Sequence, residues 1–287
     1  MVCGSLAFAL MATMAHALGS DWDCDWRVIA VSRTFLAMVF ATALTLAAGA
    51  RLVFWGPRSL WIRSIAGSIS LVCTFFAFTR LPVSHVLTLT NTFPIWVALL
   101  SWPLLRERPP ARIWLFIASG ILGVYLIQKP HLAEGNFASL IALGSSVSTA
   151  VAMIGLHRLH YIDPRAIVVH FSTVSLLFCI ASFFFMDGAI LMGNALEGWP
   201  LGMLLGVGIT ATIGQLFLTK AFAEGDPSKV SVVGLSQIVF AVLLEESLGK
   251  QAIDATTLLG MGLVLVPAGW LMIQPGEQGI DLASELK

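Results

Sequence analysis

The stretch FAFTRLPVSHV, residues 76–86, is answered 144 positions later by KAFAEGDPSKV, residues 220–230. Ala77, Phe78, Ser84 and Val86 return as Ala221, Phe222, Ser228 and Val230, and farther along LIQKP at 126–130 is echoed by MIQP at 272–275. Working outward, apolar runs of membrane-spanning length fall at 2–18, 28–50, 64–79, 84–104 and 113–128 in the first half. In the second half they fall at 137–156, 166–186, 200–223, 230–249 and 255–273. A unit that crosses a bilayer an odd number of times must be followed by its copy upside down, and inverted pairs of this kind are the usual construction of secondary transporters. The repeat therefore points to alternating access.

Composition agrees with a membrane interior. Of 287 residues 57% are hydrophobic and 11% charged, too little charge to cover a water-soluble surface. No stretch between spans is long enough to fold as a soluble domain, which excludes catalysis by an appended globular unit. With the N-terminus in the cytoplasm, the inner loops and tail hold Arg51, Arg58, Arg63, Arg106, Arg108, Arg112, Arg158, Arg165, Lys229 and Lys287. Only Arg27, Arg80, Lys129 and Lys250 fall outside, so the positive-inside rule places both termini in the cytoplasm of a cell (inner) membrane protein. Trp22, Trp26 and Trp199 mark the outer interface and Trp55, Trp61 and Trp114 the inner one, with Trp96 inside a span. Ala15-His16-Ala17 mimics a cleavage site, but no Lys or Arg precedes Arg27, so the first run reads as a span. Cys3, Cys24, Cys73 and Cys179 are widely spaced and suggest neither zinc nor a disulfide framework.

Ten spans in two copies, with Arg106-Glu107-Arg108 after the fourth, resemble the EamA-type members of the drug/metabolite transporter superfamily. The resemblance covers essentially the whole chain. It implies an all-α integral membrane protein of about ten transmembrane helices, with residues 1–130 as a first five-helix repeat and 131–287 as a second, inverted one with a short C-terminal tail. In that family the fourth span carries a proline and closes with a glutamate, matched here by Pro94 and Glu107 in FPIWVALLSWPLLRERPP. The second span opens with an arginine, matched by Arg33 in SRTFLAMVF, and the ninth runs through LSQIVFAVLLEESLGKQ. Many relatives end that ninth span with Gly-Glu. This chain has Gly249-Lys250, with Glu245 and Glu246 one helical turn earlier, so the acidic role has either migrated or been lost.

Polar groups inside spans cost free energy, about 2.5 to 3.5 kcal/mol for a charge at the centre, and each needs a reason. Arg33, shallow in the second span, either snorkels to the outer headgroups or forms an outer-vestibule cation for an anionic substrate group. Lys220 reads as a snorkelling residue near the inner end of the eighth span. Glu245 and Glu246 lie about 22 Å along the ninth span at 1.5 Å per residue, deep enough for one carboxyl to carry a proton; alternatively the span ends early and both belong to a loop. The fourth span is the expected substrate path: Pro94 must break its hydrogen-bond ladder and free the carbonyl of Thr90. Asn91, Gln215 and Gln237 then offer amides to a small polar ligand and Trp96 a ring to stack on it, the alternative being that such amides only fasten helices together.

His16, His85, His157, His160 and His170 come with no carboxylate or cysteine to complete a metal site, and no cofactor is expected. Gly202, Gly206, Gly260 and Gly262 are expected at close helix contacts. No Walker motif is present, so ATP is not the driver. The expectation is a secondary transporter, an exporter, of a small organic metabolite such as an amino acid or related polar compound. Its partners are a small-molecule substrate and membrane lipid, not nucleic acid. A proton or other coupling ion enters only through the resemblance, and a homodimer is left open. The competing classes are an intramembrane enzyme, for which no HExxH, facing aspartates or Ser/His arrangement is found, and a membrane scaffold, which gains nothing from a polar interior.

Overall fold

The computed structural model of the protein describes residues 1–78, 80–81, 83–106, 108–129, 137–185, 198–248 and 253–273. Among them the regular structure is entirely helical: α1 Val2–Asp21, α2 Trp26–Ala47, α3 Arg58–Phe78, α4 Val83–Thr90, α5 Phe93–Leu105 and α6 Ala111–Gln128. The second half continues with α7 Phe137–His157, α8 Pro164–Phe185, α9 Gly198–Glu224, α10 Pro227–Gly234, α11 Ser236–Ser247 and α12 Ala255–Ile273. Nine stretches are long and apolar enough to cross a bilayer, α10 and α11 counting together as one. The segment 83–105 supplies a further one, divided into α4 and α5. The protein is thus a multi-pass membrane protein, and the apolar runs read from the sequence coincide with its helices. Glu107, Gly249, Lys250 and the junction at 130–136 lie outside the described residues.

Helix ends follow local chemistry. Asp25 caps α2 by accepting the Arg27 amide at 2.7 Å, and Asp226 caps α10 through the amides of Ser228 and Lys229 with Pro227 as its first residue. α5 stops where Arg106 turns left-handed at φ 62°. One boundary departs consequentially from the sequence reading: α3 starts at Arg58 rather than at residue 64. Two arginines depress the local hydropathy, yet Leu60, Trp61 and Ile62 give the turn enough apolar surface to extend the helix. Arg63 is therefore a helical residue, not a loop cation.

The halves are interleaved rather than set side by side. α3 packs on α7 and α9 on α1; α3 meets α8 and α9 meets α2; α5 lies on α7 and α11 on α1, while α2 pairs with α8 and α6 with α12. Each contact has its counterpart with the halves exchanged. The α6–α12 seam shows how closely the helices approach: a Cβ at Gly123 would lie 2.6 Å from the Gly260 carbonyl oxygen, and Ser119 donates to the Leu263 carbonyl at 2.9 Å. Gly206 faces Met14, whereas Gly202 and Gly262 have open space where their Cβ atoms would be, so only Gly206 and Gly260 of the expected four mark close contacts.

Both halves break their fourth crossing within one residue of the same register. Around α4 and α5 the ladder tightens to three-residue steps, Thr92 N to Leu89 O and Ile95 N to Thr92 O; around α10 and α11 it does so from Leu235 N to Val232 O and Ile238 N to Leu235 O. The Thr92 hydroxyl donates to the Leu89 carbonyl at 2.6 Å, and 144 residues on, the Ser236 hydroxyl donates to the Val233 carbonyl at 2.7 Å. Phe93 packs against both the cluster around Val97 and the cluster around Leu235, so the interruptions meet. Pro94 is the evident cause in the first copy. In the second the break forms without a proline.

Candidate functional site

α3 is the polar helix of the interior. Ser68 shares a hydrogen bond with Ser175 at 2.8 Å and Ser64 with His170 Nδ1 at 2.7 Å, which fasten it to α8. Ser70 and Thr74 reach the Ser145 hydroxyl at 3.0 and 2.6 Å, and Ser70 also reaches Thr149 at 2.6 Å, which fasten it to α7. Trp61 sets its ring edge-on to His170 at 4.7 Å.

Within this frame Arg63 is the largest fully buried side chain among the described residues, 1% exposed. Its guanidinium lies 4.1 Å above the Phe171 ring, a contact worth about 2 kcal/mol when desolvated. Nη2 donates to Gln215 Oε1 at 3.2 Å, while Nε and Nη1 have no hydrogen-bond partner among the described residues. No carboxylate pairs with it among those residues. A Cβ at Gly67 would stand 2.5 Å from Nη1, so the glycine leaves room for the guanidinium. An uncompensated charge removed from water costs several kcal/mol, and within a membrane span it marks a functional path. Sequence reasoning placed this residue in a loop. The signal that would have found it is the apolar triplet Leu60-Trp61-Ile62 just before it.

The expected site residues divide into two groups. Gln215, 8% exposed, is the acceptor for Arg63. Trp96 packs against the buried cluster of Val97, Met153, Leu156 and Phe222, and its buried Nε1 has no acceptor among the described residues. Thr219, four residues after Gln215 and thus on the same helix face, is fully buried with its hydroxyl unpartnered among them. The structure therefore joins Gln215 to Arg63, with Thr219 one turn on from Gln215 along α9, while Trp96 is placed by its packing on the cluster around Leu156 and Phe222. Asn91 is instead turned on its own helix, its Nδ2 donating to the Leu87 carbonyl at 2.7 Å next to the break at Pro94. Gln237 is half-buried in the first turn of α11, and Arg33 is half-buried on α2 beside Cys179 of α8. No hydrogen bond joins any of these three to Gln215 among the described residues.

Glu245 and Glu246 fall in the last three residues of α11, the first half-buried and the second exposed. Lys220 is exposed near the end of α9. Beyond the spans Asp25 pairs with Arg27 and Asp254 with Lys129. Burial pushes the Asp25 carboxyl up, but hydrogen bonds from the Arg27 side chain and amide overcome this and hold it below the usual carboxylate range. At the mouth of the α6–α12 seam, hydrogen bonds from Lys129, 2.5 Å away, and from Thr257 and Thr256 hold Asp254 well below that range. A groove between α3 and α7 lined by Arg58, Trp61, Ile62, Ile65, Val147 and Val151 opens outward among exposed isoleucines, away from the buried guanidinium.

Residues 1–128 and again 136–273 match the profile of the EamA-like transporter family. The chain is 28% identical over 269 residues to the pseudopaline exporter CntI of Pseudomonas aeruginosa, covering 92% of each protein. It is 24% identical to the riboflavin transporter of Vibrio cholerae, over 85% of this chain and 81% of that one, and 21% identical to human solute carrier family 35 member G1, over 67% and 57%. A solved crystal structure superposes with a TM-score of 0.82 at 18% sequence identity, over 94% of this chain and 96% of that one, a likeness of fold.

Proposed function

The chain belongs to the EamA-like transporter family, and on that premise we propose that it exports a small polar organic metabolite, such as an amino acid or related compound, across the cytoplasmic membrane by alternating access. As a family member it is a transporter and not an enzyme. The observation that carries the mechanism is the pair of helix interruptions, equivalent to within one residue by the 144-residue step and in contact through Phe93. Three-residue hydrogen-bond steps at such points act as hinges, and broken helices at mid-depth are where carriers of this kind hold cargo. The exporter among its relatives supports the direction, and the excess of basic residues in the expected inner loops supports cytoplasmic termini.

In this reading Trp96 and Gln215 form the substrate-facing pair. Asn91 and Gln237 flank the hinges, and Arg33 serves the outer approach. Glu245, the less exposed of its pair, carries the coupling proton, with Glu246 beside it at the helix end. The test is reconstitution in liposomes loaded with a metabolite library. Wild type is expected to release one class of compound. Trp96→Ala and Gln215→Ala are expected to lower that flux at least about tenfold, the scale of one lost polar contact of 1.4 kcal/mol, while eluting as folded protein in detergent. Unchanged flux in both variants removes them from the site. Glu245→Gln is expected to make flux insensitive to an imposed pH gradient, and retained sensitivity overturns the coupling role.

A further inference from the structure

We propose that Arg63 is the anchor for an organic carboxylate, so that the cargo is an acid recognised at a dry guanidinium on α3. The inference rests on the carrier reading above and specifies its substrate class. It starts from the chemistry of the groups left without partners. Among the described residues the unpartnered buried atoms include Nε and Nη1 of Arg63 and, one turn along α9 from its partner Gln215, Oγ1 of Thr219. The two nitrogens can only donate a hydrogen bond, and the hydroxyl can donate as well. Gln215 already spends its carbonyl oxygen on Nη2. The pocket is therefore rich in donors, short of acceptors and positively charged, and the ligand that satisfies all three conditions is an oxyanion. A planar guanidinium favours carboxylate geometry over a point cation such as ammonium.

The surroundings orient the group as well as bury it. Phe171 holds one face of the guanidinium at 4.1 Å, and a Cβ at Gly67 would lie 2.5 Å from Nη1 and 2.8 Å from the Phe171 ring. Arg63 backbone atoms lie 3.4 to 3.5 Å from where a Cβ on Gly155 would be, so α7 packs closely on the α3 backbone at this residue. In the other half the site has no equivalent. The 144-residue step from Arg63 lands on Val207, an apolar residue, so the repeat supplies one cation rather than two.

The experiment uses the full-length protein in phosphatidylcholine nanodiscs and follows Tm during titration with succinate, citrate and glutamate. The neutral counterparts succinamide and glutaminamide serve as the comparison. Wild type is expected to gain Tm with at least one carboxylate and with neither amide. Arg63→Gln is expected to weaken the response about tenfold to a hundredfold, the scale of a lost charge-assisted hydrogen bond. Arg58→Gln, an exposed neighbour on the same helix, is expected to respond as wild type. Should Arg63→Gln fail to fold, Gly67→Ala keeps the charge while displacing it and is expected to weaken the same response. An equal response to amides and acids, an undiminished response in Arg63→Gln or Gly67→Ala, or no response to any acid overturns the proposal. A lipid phosphate could offer the same chemistry, so the series is repeated with phosphatidylglycerol. A rise in Tm with that lipid alone, to which succinate adds nothing, overturns a soluble cargo. Liposome flux separates the two readings: transport of a neutral metabolite by both wild type and Arg63→Gln sinks the carboxylate anchor and leaves the carrier standing, whereas acid binding without flux of any compound sinks the carrier.

Discussion

α3 and α9 occupy equivalent places in the two halves, each packed on the first and second helices of the other half, yet they hold their neighbours by opposite means. α3 presents Arg63, Ser64, Ser68, Ser70 and Thr74 and bonds through hydroxyls to Ser145, His170 and Ser175. The 144-residue step turns four of those positions into Val207, Gly208, Gly214 and Leu218, and only Ser68 keeps a hydroxyl, as Thr212. Where Ser64 grips His170, Gly208 lets the Leu36 side chain of α2 press against the backbone of α9, and Gly214 does the same for Phe8 of α1. One seam is polar and directional and the other is close-packed and apolar. In a bilayer, where no hydrophobic force brings helices together, these are the two available sources of association. The difference suggests that the α9 side is the rigid frame and the α3 side the part that exchanges partners as the carrier works.

The steepest challenge to that contrast is Gly208→Ala. Its Cβ would stand 2.4 Å from Leu36 Cβ, so thermal unfolding in detergent should show a loss of about 1–3 kcal/mol, the range for overpacking. A loss near zero would mean the α9 seam is loose. Ser145→Ala, which removes the acceptor and donor shared by Ser70 and Thr74, should cost about 1 kcal/mol, between the average of 0.6 and the maximum of 1.7 for such bonds in a membrane. Ser68→Ala severs one link to Ser175 and should cost about 0.6 kcal/mol. If it costs more than Gly208→Ala, the roles of the two seams are reversed. The smallest effect belongs to the exposed fastening between Lys129 and Asp254. Because the Asp254 carboxyl is held below its ordinary value, its contribution is present above the usual carboxylate range and fades as the pH falls through it. The Tm difference between wild type and Asp254→Asn should therefore be slight at neutral pH and vanish in acid, where growth instead would refute the assignment.

Most of the architecture was legible because the bilayer dictates it: a backbone crossing hydrocarbon must satisfy its own hydrogen bonds, so each crossing announces itself as a long apolar run. Pro94 revealed the first interruption. The second, at Leu235, carries no such residue and could be seen only as the echo of the first. Gln215 and Trp96 drew attention because polar and aromatic groups at mid-span stand out, and of the two Gln215 is the one that meets Arg63. Asn91 stood out equally but turns back on its own helix, its amide donating to the Leu87 carbonyl that already accepts the Asn91 backbone N–H, a local bond that short amide side chains readily make. Arg63 was missed for a different reason. An arginine in the first turns of a span can reach outward or fold inward, and which it does is settled by Phe171, Gly155 and Gln215, residues about a hundred or more positions away whose arrival no local pattern records.

On the proposed mechanism the buried guanidinium of Arg63, which pairs with no carboxylate among the described residues, also makes the empty protein sensitive to voltage. A full charge carried across 100 mV is worth about 2.3 kcal/mol, so a rearrangement that shifts Arg63 through even a tenth of the field is biased by about 0.2 kcal/mol. Because no carboxylate among the described residues cancels it, that bias acts on the unloaded form, and with the proposed carboxylate cargo it disappears whenever the negative passenger rides along. The membrane potential would then tilt the facing of the vacant carrier by only about 1.5-fold per tenth of the field crossed.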